Sequence, residues 1–383
     1  MTETKKTLRF GIAGSGSRSQ DYARAISQVE GAKATATTSG RLGAELQKAI
    51  PGLALERDAG TLIKRRDVDA LLLVDPVADA AAVIRRALIA DKHVLATLFS
   101  PISNQQLKEL AFLAHKHSCV LTFTEERSFQ PAFVFLKWML SGRGSLWRPR
   151  YLRAVATPGI GSGADVSLAT LVIEQIGLCT RLLGENPTSV SGIVCRGAAE
   201  EAPTAAFINL IYPEGRAASL QISTVEAQES RQWTMATPGK TILLDECDMR
   251  SPLKIISFDS EAAPRGLVRV NPPIPLADWP TESTVTPPLN STDVRVEQCR
   301  HFVQRALTGD LHDSSASFWA EVALAWEAVE ESVRLSGMPV TVAAVSERDR
   351  KAVGERPKLR LIHGKGMGEA DAHERPALTL VPR

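Results

Sequence analysis

The sequence predicts an α/β fold in which a Rossmann-like, doubly wound parallel sheet is followed by a second, α+β domain with an open, mostly antiparallel sheet. Three observations support this prediction. An apolar run over residues 8–13 ends in paired glycines and passes directly into an amphipathic helix pattern. Short apolar runs then alternate with helical segments up to about residue 150. Beyond that point, polar and apolar residues alternate with period two, as in antiparallel strands.

The length and composition of the chain limit its organisation and its class. At 383 residues it exceeds the size at which a single core usually stops growing. We expect a Rossmann-like dinucleotide-binding domain over 1–150, a substrate and oligomerisation domain over 151–345, and a polar extension over 346–383. The net charge of +2 gives no reason to expect nucleic acid or a membrane as a partner. The amino-terminal residues lack the apolar stretch of a secretion signal, so we expect a cytoplasmic protein.

Five scattered cysteines, odd in number and without metal-ligand spacing, predict reduced thiols and no metal site.

In the first domain, apolar runs predict strands and longer amphipathic segments predict helices. A capping box of Ser103 and Gln106 predicts the start of one helix, and Pro131 is placed to begin another. The remaining predicted elements are strands at 8–13, 70–74, 93–96 and 120–123 and a helix at 77–90.

In the second domain, strands are predicted at 190–196, 204–212, 217–224, 231–236 and 241–245. One face of their sheet must be covered by helices, for which the candidates are 168–183, 296–307 and the segment that carries Trp319 and Trp326. The stretch 261–293, rich in Pro, Ser and Thr, is expected to be a long loop.

The glycine pair after the first strand is typical of a dinucleotide-binding turn. Gly14 permits a tight turn, and Gly16 lets the backbone approach a pyrophosphate at the helix N-terminus. The third small position of this pattern is Ser19 rather than glycine. We predict that the cofactor contacts Gly11, Gly14, Ser15, Gly16, Ser17 and Arg18.

The end of the second predicted strand favours NADP over NAD. Thr38, Ser39 and Arg41 can accept a 2′-phosphate there, and no acidic residue is present for a ribose hydroxyl. The alternative is that Arg41 only begins a solvated helix. Asp75 and Pro76 follow a buried strand near the expected cofactor, where Asp75 adds a negative charge.

A series of motifs, taken in order and spacing, resembles the Gfo/Idh/MocA oxidoreductase family, named for glucose–fructose oxidoreductase and inositol dehydrogenase. The resemblance extends from residue 8 to about 342. The matching segments are the Gly11/Gly14/Gly16 turn, 67–76, 87–95, Arg127 with Phe129 and Pro131, 141–146, 300–303, and the Trp326 helix with 337–340.

The resemblance implies a nicotinamide cofactor over the first domain and a sugar or cyclitol on the open sheet of the second. The family handles protons with a Glu-Lys-Pro lysine and an Asp-x-Gly-x-His histidine. In this chain the lysine position falls on Phe99 or Ser100. The Asp, Gly and His positions fall on Thr170, Val172 and Glu174, and a further aspartate falls on Gly177. The family's Gly-His-Asn segment becomes Thr124-Glu125-Glu126.

From this resemblance we expect an NAD(P)-dependent oxidoreductase of a sugar, cyclitol or related small molecule, with NADP as the cofactor and atypical catalytic residues. Hydride transfer at a carbinol carbon needs an acid or base near its oxygen, and the candidates are Glu174, Glu125 and Glu126. The alternatives are a non-catalytic ligand sensor or scaffold, or a non-redox enzyme that uses these glutamates. For Glu174 itself, the alternative to a catalytic role is a salt bridge to an arginine. We expect a homodimer or homotetramer assembled through the second-domain sheet.

Overall fold

The computed structural model describes residues 7–14, 16–38, 41–77, 79–97, 102–141, 148–159, 167–196, 202–258, 282–289, 292–311 and 315–342. The predicted extension at 346–383 and most of the predicted loop at 261–293 lie outside the described residues.

A six-stranded, entirely parallel sheet forms the first half of the chain. Its strands are β1 (Leu8–Ile12), β2 (Ala32–Thr38), β3 (Ala54–Glu56), β4 (Ala70–Leu73), β5 (His93–Ala96) and β6 (Leu121–Phe123). Their order is β3-β2-β1-β4-β5-β6. The strands β2 and β3 lie on one side of β1 and the strands from β4 onward lie on its other side, so the topological switch point is between β1 and β4. In open parallel sheets, ligands bind at such a switch point, beyond the carboxyl ends of the strands.

The helices of this half are α1 (Ser17–Ser27), α2 (Arg41–Ala49), α3 (Ala59–Lys64), α4 (Ala80–Ile89), α5 (Asn104–Lys116) and α6 (Pro131–Ser141). The capping box of Ser103 and Gln106 opens α5, as predicted. Helix α4 begins three residues later than the sequence suggests, because Asp79 is its N-cap and accepts a hydrogen bond from the Ala82 N–H.

A nine-stranded, mostly antiparallel sheet forms the second half. Its strands are β7 (Tyr151–Thr157), β8 (Ser189–Arg196), β9 (Pro203–Ile211), β10 (Ala217–Ser223), β11 (Ser230–Thr237), β12 (Lys240–Asp245), β13 (Leu253–Phe258), β14 (Glu282–Val285) and β15 (Val340–Thr341). Their order is β14-β13-β12-β11-β7-β10-β9-β8-β15, and only the β7/β10 pair is parallel. The predicted Rossmann-like sheet followed by an open, mostly antiparallel sheet is therefore confirmed.

Strand β14 corrects the prediction of one continuous loop over 261–293. It pairs with β13 from Ile255 opposite Val285 to Phe258 opposite Glu282. With four residues it is too short to show a period-two pattern, and it is fixed by its neighbour rather than by its own sequence.

The remaining helices are α7 (Leu168–Leu183), α8 (Val294–Thr308) and α9 (Ser315–Arg334). Helices α7 and α9 cover one face of the second sheet, where an added Cβ on Gly192 of β8 would lie 3.3 Å from Val329 of α9. Helix α8 was expected on this sheet but packs against α1 and β1, with the ring centroid of Phe302 5.8 Å from that of Phe10. An apolar stripe shows that a helix is covered but not which sheet covers it.

The cysteines of the described chain are free thiols, and Cys119, Cys179 and Cys299 are buried. Within the described ranges there is no group of His, Cys, Asp and Glu suited to a metal ion. None of the helices described is both long enough and apolar enough to cross a membrane.

Candidate functional site at the switch point of the first sheet

The turn between β1 and α1 has the backbone shape that the sequence predicts. Gly14 has a φ of +152°, a value that favours glycine, and Gly16 is the extended N-cap of α1. The Thr38 hydroxyl, at the end of β2, accepts a hydrogen bond from the Gly14 N–H at 3.1 Å and donates one to the Gly14 carbonyl at 3.2 Å. The hydroxyl that we expected to contact a 2′-phosphate therefore makes hydrogen bonds to the turn instead.

The Asp75 carboxylate lies directly on this turn. Asp75 follows β4 by two residues, and its Oδ2 accepts a hydrogen bond from the Gly16 N–H at 2.5 Å. The same oxygen accepts a second hydrogen bond from the Ser19 hydroxyl at 2.6 Å. Asp75 is only 8% exposed and Ser19 is fully buried. A carboxylate of the chain itself thus accepts a hydrogen bond from the N-cap N–H group of α1.

The two glycines are required by this close approach. A Cβ on Gly14 would lie 2.6 Å from Asp75 Oδ2, and a Cβ on Gly16 would lie 2.5 Å from Asp75 Oδ1. Contacts this short do not occur between a Cβ and a fixed neighbour, so a side chain at either position would displace the carboxylate. In a dinucleotide-binding turn such glycines let a pyrophosphate approach the backbone. In this chain they let the Asp75 carboxylate approach it.

The residues as placed do not fit a dinucleotide bound in the usual way. Its pyrophosphate sits at the helix N-terminus and accepts hydrogen bonds from backbone N–H groups of the turn. Asp75 already takes the Gly16 N–H, and its negative charge would repel a phosphate at the same place.

Arg18 and Glu126 form a second contact beside the turn. Arg18 Nη2 donates to Glu126 Oε1 at 2.6 Å, and Arg295 Nε lies 3.5 Å from Glu126 Oε2. The buried Tyr22 hydroxyl lies 3.1 Å from Glu126 and 2.7 Å from Gln298. Burial, together with the Glu126 charge, raises the pKa of Tyr22, so this phenol stays neutral. Glu126 thereby joins α1, α8 and the short 3₁₀ turn that follows β6.

Glu125 points the other way, into the contact between the two halves of the chain. Its Oε1 accepts hydrogen bonds from Arg181 at 2.6 Å, from the Trp319 indole at 2.9 Å and from Ser315 at 3.3 Å. Its side chain is 9% exposed. Arg181 also stacks on Phe318, with its guanidinium carbon 3.8 Å from the ring centroid. Glu125 connects the end of β6 to α7 and α9.

Glu174 on α7 lies at the edge of a buried ion cluster. Its Oε2 is 3.5 Å from Arg127 Nη1, and its side chain is 39% exposed. Arg127 also donates to Glu246 through Nε at 3.0 Å and through Nη2, and the Trp233 indole donates to Glu246 at 2.9 Å. Burial alone would lower the pKa of Arg127, but the charges of Glu174 and Glu246 raise it. Arg127 therefore stays charged.

The structure thus brings Gly14, Gly16, Thr38 and Asp75 together. Gly11 lies within β1, where an added Cβ would be 3.1 Å from Val68, and Ser17 is the first residue of α1. Pro76 is exposed. Ser15 and Ser39, and also Phe99 and Ser100, lie outside the described residues, as does the Arg41 side chain.

Sequence reasoning missed several participants of these contacts, among them Ser19, Arg181 and Glu246. Ser19 was noted only as a departure from a glycine pattern, and its hydroxyl was the available signal. Arg181 and Glu246 gave no signal, because their partners are 56 and 119 residues away in the chain.

The chain has the same fold as several solved dehydrogenases. It is similar to UDP-N-acetylglucosamine 3-dehydrogenase GnnA from Acidithiobacillus ferrooxidans, with 20% identity and a TM-score of 0.69 over 86% of this chain and 98% of that one. It is also similar to GenD2 from gentamicin A biosynthesis in complex with NAD, with 16% identity and a TM-score of 0.69 over 89% and 97%. A third is apo scyllo-inositol dehydrogenase from Lactobacillus casei, with 17% identity and a TM-score of 0.65 over 89% and 100%.

The expected fold, a Rossmann-like sheet followed by a mostly antiparallel sheet, is thus shared with these solved structures and is confirmed. At such identities the similarity establishes the fold alone. The sequence matches no known family model and no curated protein.

Proposed function

We propose that this chain is a divergent member of the Gfo/Idh/MocA family that binds a sugar, a cyclitol or a related small molecule without transferring a hydride, as a sensor or scaffold. The observation that carries this proposal is that an arginine contacts each acidic residue expected to handle protons. Glu125 pairs with Arg181, Glu126 with Arg18, and Glu174 with Arg127.

These arginine contacts make the glutamates poor catalysts of proton transfer. A general acid or base must reach the substrate and change its protonation state during the reaction. Glu125 Oε1 already accepts three hydrogen bonds, and Glu126 Oε1 contacts Arg18 and Tyr22. In each glutamate this oxygen is already occupied by donors of the chain rather than open to a substrate.

A second candidate is the NADP-dependent oxidoreductase that the resemblance implies. In its favour, GenD2 is described in complex with NAD, and GnnA and scyllo-inositol dehydrogenase are dehydrogenases by name. The Gly14 and Gly16 backbone also has the shape that a dinucleotide requires. In this candidate Glu174 is the acid or base, because it is the most exposed of the three glutamates.

We also propose that the chain assembles as a homodimer or homotetramer through the face of the second sheet opposite α7 and α9. Ile193 of β8 and Phe207 of β9 are directly paired and are 53% and 41% exposed. Their neighbours along the strands, Gly192 and Ile208, face the helices. Paired apolar side chains on an open face suit an interface between subunits.

Turnover assays separate the two candidates. The purified chain is incubated with NADP or NAD and with myo-inositol, scyllo-inositol or UDP-N-acetylglucosamine, and NAD(P)H formation is followed by absorbance at alkaline pH. We expect no turnover above the buffer control, while at least one sugar or cyclitol of a wider panel raises the melting temperature. Sustained turnover with any substrate would reject the first candidate in favour of the second.

A further inference from the structure

We propose that Asp75 is an internal anion that occupies the phosphate-binding turn of the first sheet and excludes dinucleotides from it. This inference deepens the proposed function, because it gives a physical reason why a chain with this fold does not bind a nicotinamide cofactor in the usual way. It rests on the position of the Asp75 carboxylate, on the charge of the α1 terminus and on the identity of residue 19.

The N-terminus of α1 needs an anion from outside the helix. The first N–H groups of a helix have no partners within it, and they carry a partial positive charge. The N-cap residue Gly16 has no side chain with which to cap the helix, and the first turn of α1 contains no acidic residue. Asp75, two residues beyond the end of β4, supplies this negative charge.

The Asp75 carboxylate is fixed rather than mobile. Its Oδ2 takes two hydrogen bonds, from a backbone N–H at 2.5 Å and from a hydroxyl at 2.6 Å. The residue is 8% exposed, so a phosphate group that replaced it would first have to break both bonds and drive the charge out of a buried position.

This chain departs from the dinucleotide-binding pattern at residues 19 and 75, and the two departures are linked by a hydrogen bond. The third small position is Ser19 instead of glycine, and the second residue after the end of β4 is an aspartate. The Ser19 hydroxyl donates directly to the Asp75 carboxylate. A glycine at position 19 would leave that carboxylate with one donor fewer, so the serine and the aspartate form a matched pair.

The turn has the backbone shape of a dinucleotide-binding site, but it carries a negative charge where such a site binds a phosphate. The glycines place backbone N–H groups at the surface of the turn, but a phosphate there would meet a carboxylate within van der Waals distance of both glycines. Bringing like charges together is unfavourable, so the carboxylate opposes the binding of a phosphate on this turn.

The test compares three variants with the wild-type chain. Asp75→Asn removes the charge and nearly keeps the shape, and Asp75→Ala removes both. Asp79→Asn is the matched control, because it removes one negative charge from the same loop while an asparagine can still cap α4. Circular dichroism first verifies that each variant is folded. NADPH binding is then measured by nicotinamide fluorescence, and melting temperatures are measured with and without inorganic pyrophosphate.

We expect the wild type and Asp79→Asn to show no NADPH binding at about 1 mM, whereas Asp75→Asn binds at least about tenfold more tightly than the wild type. Pyrophosphate should raise the melting temperature of Asp75→Ala by about 2 °C or more and leave the wild type unchanged.

Two results would overturn the inference. One is NADPH binding by the wild type, even without turnover. The other is folded Asp75→Asn and Asp75→Ala variants that bind neither NADPH nor pyrophosphate better than Asp79→Asn. Neither result by itself rejects the proposed function, which only turnover rejects.

Discussion

Two carboxylates of this chain, Asp75 at the end of β4 and Glu174 on α7, are held in opposite ways. Asp75 is 8% exposed and is fixed by two neutral donors at 2.5 and 2.6 Å. Glu174 is 39% exposed, and its Oε2 lies 3.5 Å from Arg127 Nη1. The resemblance to the family led us to expect Asp75 near the cofactor and Glu174 at a proton-handling position. Asp75 is held by two short hydrogen bonds, whereas Glu174 is held by a longer ion pair.

The contacts of Arg127 explain why Glu174 is held less firmly than Asp75. Arg127 makes its two shortest contacts to Glu246, whose side chain is 4% exposed. Its charge is therefore balanced without Glu174, and the contact to Glu174 is an additional one. Glu174 adds its charge from 3.5 Å, at the exposed edge of the cluster, where solvent screens the interaction.

The largest effect is expected from Arg127→Met. This change leaves Glu246 buried without its cation, and breaking a buried pair in this way typically costs about 3–5 kcal/mol. The free energy of unfolding, measured by urea denaturation, should fall by this amount. A loss below about 1 kcal/mol would contradict the assignment of Arg127 and Glu246 as the fixed pair of this region.

A much smaller effect is expected from Glu174→Gln. Exposed or partly exposed ion pairs contribute about 0–1 kcal/mol, because solvent screens them and side-chain entropy opposes them. The same denaturation measurement should detect a change within this range. A loss above about 2 kcal/mol would show that Glu174 is as firmly held as Glu246 and would remove the contrast with Asp75.

The sequence was sufficient for the elements that local signals mark and for the shape of the turn, but not for β7, β13 or β14. The capping box of Ser103 and Gln106, the buried run at β4 and the Gly14/Gly16 pair are local signals, because the residues that produce each structure are neighbours in the chain. They were found where predicted. The two-sheet architecture followed from the change of period near residue 150.

The contacts that define the site join residues far apart in the chain, so no local sequence pattern could predict them. Gly16 and Asp75 are 59 residues apart, Arg18 and Glu126 are 108 apart, and Arg127 and Glu246 are 119 apart. The charge at Asp75 and the serine at position 19 were each visible as departures from a pattern. Only the geometry of the folded chain shows that one donates a hydrogen bond to the other.

A crystal structure of the wild-type chain grown with millimolar NADPH tests most directly whether Asp75 occupies the turn. We expect the Asp75 carboxylate within hydrogen-bond distance of the Gly16 N–H and the Ser19 hydroxyl, with no dinucleotide on the turn. A pyrophosphate bound to the Gly16 N–H, with Asp75 rotated away from it, would show that Asp75 does not exclude dinucleotides.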